Sequence, residues 1–122
     1  MSESAEKHIL VVEDDTLVAD VIAAALDETY PVVIVDTSAA ALETLRQGSV
    51  RLLLLDCTLP GGIDADLLPQ AERTGTPVIL MSGDPSRGAQ LSGKALPFVR
   101  KPFTLTGLLN TVEAVLADSE PT

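Results

Sequence analysis

The chain has 122 residues and carries 18 Asp plus Glu against 8 Lys plus Arg, a formal charge of -10. That length suits one domain with one core. The 46% apolar content argues against a disordered chain, and the 2% aromatic content leaves Leu, Val, Ile and Ala to build the interior. The acidic balance repels phosphate backbones, so nucleic acid is not an expected partner, whereas cations and basic protein surfaces are.

Cys57 is the single cysteine, which excludes an internal disulfide. The stretch Met1 to Lys7 is polar and acidic, and the apolar run Ile9 to Val12 is too short for a signal-peptide core. No apolar run approaches the ~20 residues that cross a bilayer. The expectation is a cytoplasmic chain with no membrane partner.

Taken in chain order, His8 to Val12 reads as a buried strand, and Val18, Val21, Ile22, Ala25 and Leu26 then fall on one helical face. Asp15, just before that helix, is placed as its N-cap. Pro31 opens a second strand, Val32 to Val35. Ser38 is expected to cap a helix through Ala41, Leu42 and Leu45, ended by Gly48. Leu52 to Leu55 forms the third apolar run, bounded by Arg51 and Asp56. A helix from about Asp64 to Arg73 follows, with Pro69 inside it as a flaw. Gly75 and Pro77 stop that helix and open the strand Val78 to Met81. The segment Ser82 to Ala95 holds Gly83, Pro85, Gly88 and Gly93, so the fourth helix in chain order is expected to be short or irregular, with Asp84 to Lys94 the most mobile internal stretch. Leu96 to Val99 makes a fifth strand, and Leu105, Leu108, Leu109, Val112, Val115 and Leu116 mark an amphipathic last helix.

These are five βα units in series. Strands apolar on both faces and separated by helices imply a doubly wound α/β fold, a five-stranded parallel sheet covered on both sides. Right-handed crossovers favour the flavodoxin-like strand order 2-1-3-4-5, with the working site at the carboxyl ends of the strands. Glu13, Asp14 and Asp15 end the first strand, Asp56 the third, Ser82 the fourth, and Lys101-Pro102 the fifth. The chemistry-bearing residues therefore gather at one edge of the sheet. His8 starts the first strand and lies away from that edge.

Two carboxylates about 4 Å apart repel by roughly 4 kcal/mol at an effective dielectric of ~20. Glu13, Asp14 and Asp56 together therefore call for a proton or a cation. An oxygen-only ligand set selects Mg²⁺ or Mn²⁺ over zinc. Lys101 adds a fixed positive charge and Ser82 a hydroxyl. A cation, an ammonium and a hydroxyl around one carboxylate make a clamp for a phosphoryl group, with Asp56 as nucleophile. Cys57 is read as a packed small residue.

Four stretches carry a resemblance: Val11-Val12-Glu13-Asp14, Leu55-Asp56-Cys57-Thr58-Leu59-Pro60-Gly61, Leu80-Met81-Ser82-Gly83 and Val99-Arg100-Lys101-Pro102-Phe103. In this order, and on these strand ends, they resemble the receiver domain of response regulators in two-component systems. The similarity covers about Lys7 to Asp118, within one domain spanning 1–122. The resemblance implies that Asp56 is the phosphoacceptor, modified to phosphoaspartate. It implies that Asp14 ligates the metal directly, that Glu13 holds a metal-bound water, and that the Thr58 backbone carbonyl completes the shell. Ser82 matches the switch hydroxyl, Phe98 the switch aromatic, and Lys101 the phosphate-pairing lysine. Lys101-Pro102 matches a cis peptide bond.

The implied function is a phosphorelay receiver that takes its phosphoryl group from a histidine kinase or a histidine phosphotransfer protein and then controls a downstream protein. It catalyses only its own phosphorylation and dephosphorylation and is not otherwise an enzyme. The chain ends soon after the last helix, so a stand-alone type is expected. The run Gly61-Gly62-Ile63-Asp64-Ala65 departs from the family at the start of the third helix. Two other readings stand beside this one. A degenerate receiver would act as a phosphorylation-independent binding module. A phosphatase of the haloacid dehalogenase type would also use an aspartate nucleophile, but it needs a second Asp where Thr58 stands.

Overall fold

The computed structural model describes residues 7–59, 62–83 and 96–119. Its elements are β1 (His8–Val12), α1 (Thr16–Leu26), β2 (Val32–Val35), α2 (Ser38–Gln47), β3 (Val50–Asp56), α3 (Leu67–Arg73), β4 (Val78–Ser82), β5 (Phe98–Arg100) and α4 (Leu105–Ser119). The strands form one parallel sheet in the order β2-β1-β3-β4-β5, as the alternation of apolar strands and helices predicts.

Side-chain alternation along the strands sorts the core into two layers. Ile9, Val11, Leu52, Leu54, Ile79 and Met81 pack with Ile22 and Leu26 of α1 and with Leu108, Val112 and Leu116 of α4. Leu10, Val12, Leu53, Leu55, Val78 and Leu80 pack on the opposite face with Leu42 and Leu45 of α2 and Leu67 and Ala71 of α3. Residues 52 to 55 are wholly buried, each contributing roughly 1.5–3 kcal/mol of burial. This run is the spine that carries Asp56 to the sheet edge. Cys57 is buried among the second layer, as a packed residue would be.

Asp15 caps α1, its carboxylate accepting from the Leu17 and Val18 amides at 3.0 and 3.3 Å. Gly48 ends α2 in the left-handed conformation at φ 85°, where a side chain would be strained.

Four expectations are corrected. Thr37, not Ser38, caps α2, its hydroxyl accepting from the Ala40 amide at 3.1 Å. Ser38 is the first helical residue, and its hydroxyl accepts from the Asp64 amide at 3.0 Å, tying the loop after β3 to α2. The third helix starts at Leu67 rather than near Asp64, because the Asp64 carboxylate accepts from the Asp66 amide and holds a turn there. Pro69 is therefore the third residue of α3, inside the first turn where an amide has no helical partner, and it is no flaw. The fifth strand runs from Phe98 to Arg100 rather than from Leu96 to Val99. Pro97 has no amide to give the ladder, though its carbonyl accepts from Leu80. The expected short fourth helix and mobile stretch lie in 84–95, outside the described residues.

Candidate functional site

The register builds the site. Val12 pairs with Leu55, so one step further on Glu13 stands beside Asp56. Asp56 pairs with Met81 on its other side, which sets Ser82 one residue beyond it. Ser82 pairs with Arg100, and its carbonyl accepts from the Lys101 amide at 2.9 Å. Lys101 is therefore delivered to the same edge by the backbone ladder, and the Lys101-Pro102 bond is cis.

Glu13 and Asp56 are each only 2% exposed, whereas Asp14 is exposed. One oxygen from each of Glu13, Asp14 and Asp56 lies within 4.8 Å of the others. The Lys101 ammonium reaches into the buried pair, donating to Glu13 Oε1 at 2.7 Å and to Asp56 Oδ2 at 3.3 Å. The second Glu13 oxygen accepts from the Asp15 amide at 3.2 Å. Asp56 Oδ1 accepts from both the amide and the hydroxyl of Thr58, at 2.9 and 2.8 Å.

These contacts divide the protonation states. Burial raises the Glu13 pKa above the usual carboxylate range, and the hydrogen bonds from Lys101 and Asp15 only partly oppose it. Burial pushes Asp56 up as well, but the two Thr58 bonds, the contact with Glu13 and the charge of Lys101 outweigh it and hold Asp56 below its ordinary value. Burial lowers Lys101, yet its bonds to Glu13 and the charges of both acids outweigh that and keep it protonated. The result is an ionised Asp56 beside a permanent cation, with Glu13 the first of the pair to take a proton.

An all-oxygen, acid-rich donor set at this spacing suits a hard divalent cation. Of the residues expected at the site, Glu13, Asp14, Asp56, Thr58 and Lys101 are brought together. Ser82 is 1% exposed at the end of β4. Phe98 is half-buried in β5 and packs against the layer beneath α2 and α3. His8 lies at the far end of β1, with its Nε2 buried and without a hydrogen-bond partner among the described residues. The side-chain bond from Thr58 to Asp56 was not anticipated, because sequence assigned Thr58 only through its backbone carbonyl. A Thr two residues after an Asp is a common turn pairing, and that is the one signal that pointed to it. Beside the site, Leu17, Val18 and Val21 of α1 and Lys101, Pro102 and Phe103 line a groove of about 430 Å³, with Leu17 76% exposed.

Fold and site together define a signalling receiver: a doubly wound sheet whose strand ends gather an acidic pocket and one lysine. The comparisons agree. The sequence pattern of the response regulator receiver domain matches residues 9–113. The uncharacterized transcriptional regulatory protein YkoG of Bacillus subtilis (strain 168) is 35% identical over 115 residues, which cover 89% of this chain and 50% of that protein. A CheY-like receiver domain protein from Methanospirillum hungatei JF-1 superposes with a TM-score of 0.81 at 27% identity, covering 94% of this chain and 97% of that one. The receiver domain of the sensor histidine kinase PA1611 from Pseudomonas aeruginosa PAO1 shares the fold at a TM-score of 0.79 and 21% identity, covering 93% of this chain and 99% of its own, and was solved with a magnesium ion coordinated in its active site cleft.

The chain belongs to the response regulator receiver domain family. Its acidic pocket of Glu13, Asp14 and Asp56 is of the phosphoacceptor type. A receiver domain is not a classical enzyme, so the phosphatase alternative falls. Membership implies a cognate histidine kinase in general terms. The chain spans about half the length of the curated relatives it matches. No helix among the described residues is long and apolar enough to cross a membrane.

Proposed function

We propose that Asp56 is the phosphorylated residue, and that it receives its phosphoryl group from a phosphohistidine on a histidine kinase or a histidine phosphotransfer protein. The observation that carries this reading is the Lys101 ammonium set between two buried acids at the strand ends. Asp56 is held ionised, as a nucleophile requires. Its oxygen attacks phosphorus in line while the phosphorus–nitrogen bond breaks. Lys101 then offers its charge to the phosphoryl oxygens, and Ser82, one residue past the level of Asp56, offers its hydroxyl.

Glu13, Asp14, Asp56 and the Thr58 carbonyl would hold Mg²⁺, or Mn²⁺, as the magnesium-bearing relative suggests. Bound there, the ion supplies charge neutralisation for the transferring group. Phosphorylation favours a packing in which Ser82 and Lys101 follow the phosphoryl group and Phe98 moves further into the core, and this shift is what a downstream protein reads. The groove along α1 beside Lys101 supports a protein donor, since an apolar surface next to the reacting atom suits a docking helix. A single cysteine and a histidine-kinase donor support a cytoplasmic location.

The test is phosphotransfer from the source organism's histidine kinases to the wild-type chain and to Asp56→Asn, with Mg²⁺ present. Labelling of the wild type alone supports the reading. Equal labelling of both moves the acceptor elsewhere. No labelling of either leaves the phosphorylation-independent binding module in its place.

A further inference from the structure

Thr58 contributes more to this site than a carbonyl. The residue is exposed, yet its hydroxyl donates to Asp56 Oδ1 at 2.8 Å, and its amide donates to the same oxygen at 2.9 Å. Asp56 Oδ2 is held differently, through one longer contact of 3.3 Å to Lys101. Lys101 makes its shorter bond, 2.7 Å, to Glu13. Among the described residues, one carboxylate oxygen is therefore doubly bonded within the loop, and the other faces the pocket, where Lys101 makes a longer contact and Glu13 lies alongside.

A carboxylate on a strand end can rotate about two bonds, and an attacking oxygen must be aimed before it reacts. Each hydrogen bond accepted by an oxygen also withdraws lone-pair density from it. Both effects act in the same direction here.

We propose that the Thr58 hydroxyl is a positioning group for Asp56: it fixes and blunts Oδ1, so that Oδ2 is the oxygen presented for attack. This rests on the reading of Asp56 as phosphoacceptor. With acetyl phosphate as donor, Oδ2 forms the new bond to phosphorus. The bond from phosphorus to the bridging oxygen breaks, and its electron pair leaves on acetate, with no change of oxidation state. Thr58 takes no part in bond making. Its hydroxyl removes rotational freedom that Asp56 would otherwise lose on the way to reaction.

The experiment compares wild type, Thr58→Val, Thr58→Ser and Asp56→Asn, all of which retain the residue 58 amide and carbonyl. Phosphorylation by acetyl phosphate is followed at saturating Mg²⁺ as a function of donor concentration, and Mg²⁺ affinity is measured separately by isothermal titration. Thr58→Val is expected to lower the maximal rate roughly three- to tenfold, the worth of one net hydrogen bond. The donor concentration at half-maximal rate and the Mg²⁺ affinity stay within about twofold, and Thr58→Ser restores most of the rate. An unchanged rate in Thr58→Val overturns the proposal. So does a fall matched by an equal loss of Mg²⁺ affinity, or a failure of Ser to rescue. If the wild type is not labelled at all, or Asp56→Asn labels equally, the phosphoacceptor reading has failed rather than this one.

Discussion

Replacing Lys101 by Met keeps an unbranched side chain one atom shorter and deletes its charge. At an effective dielectric of about 20, the contacts of 2.7 Å to Glu13 and 3.3 Å to Asp56 correspond to gross attractions of about 6 and about 5 kcal/mol. Burial of all three groups offsets much of this. Removing one partner of a buried pair, however, leaves the other charges uncompensated, at about 3–5 kcal/mol. The Lys101 side chain is 23% exposed, and water and salt screen part of its field. The expected loss is therefore about 2–3 kcal/mol in Mg²⁺-free buffer at neutral pH. For a chain of this size that lowers the Tm by about 8–12 °C. The same ammonium competes with a divalent cation for Glu13 and Asp56. Lys101→Met should then bind Mg²⁺ at least about tenfold tighter, and Mg²⁺ should return much of the lost stability by linkage. Urea unfolding followed by far-ultraviolet circular dichroism, with and without Mg²⁺, reads the first effect, since the chain has no Trp. Isothermal titration reads the second. If the variant unfolds at the wild-type urea midpoint and binds Mg²⁺ no more tightly, Lys101 is not the counter-ion that the geometry describes.

Three further outcomes are expected. Glu13 has a raised pKa, chiefly from burial, and a cation binds only its deprotonated form. Mg²⁺ affinity should therefore weaken as pH falls through that raised value, before the ordinary carboxylate range is reached. Titration in buffers of different ionisation enthalpy should show proton release in the wild type that is lost in Glu13→Gln; release that persists in the variant places the proton elsewhere. Burial lowers the pKa of His8, so the unfolded chain binds a proton more readily than the folded one. The neutral imidazole costs nothing above about pH 6.5, and stability falls as pH drops from there toward the folded pKa. His8→Gln should lose less Tm than wild type between neutral and mildly acidic buffer, and parallel losses would deny His8 that role. Ser38→Ala removes the acceptor of the Asp64 amide and should cost about 1 kcal/mol by urea midpoint, whereas no change would mean that water replaces the hydroxyl freely.

The sheet and its order were legible because the strands are apolar on both faces. Leu52 to Leu55 permits no other placement than a central strand, and the acids and Lys101 fall at the ends of such runs. What escaped depended on local hydrogen bonding that composition does not encode. Thr37 and Ser38 are adjacent hydroxyls, and either can cap a helix. Only the tertiary position of Asp64 assigns Ser38 to the loop instead. The start of α3 was read too early because Ile63 to Asp66 continues a helix-compatible pattern, while the Asp64 carboxylate holds a turn. β3 begins two residues before Leu52, at Val50, since the charge of Arg51 is accommodated over the Tyr30 ring, 5.4 Å from its centre. The Thr58 hydroxyl could be known as a neighbour of Asp56, but its direction could not.

β5 has three residues, is the outermost strand, and pairs with β4 alone. It nevertheless leads straight into Lys101, whose side chain bridges acids lying 88 and 45 positions earlier. The smallest rung of the ladder thus carries the fastening for the whole rim. Whatever occupies the pocket and grips Lys101 must slow the local opening of that rung, so exchange of the Lys101 amide, bonded to the Ser82 carbonyl, is a built-in gauge of occupancy, readable without any label at Asp56.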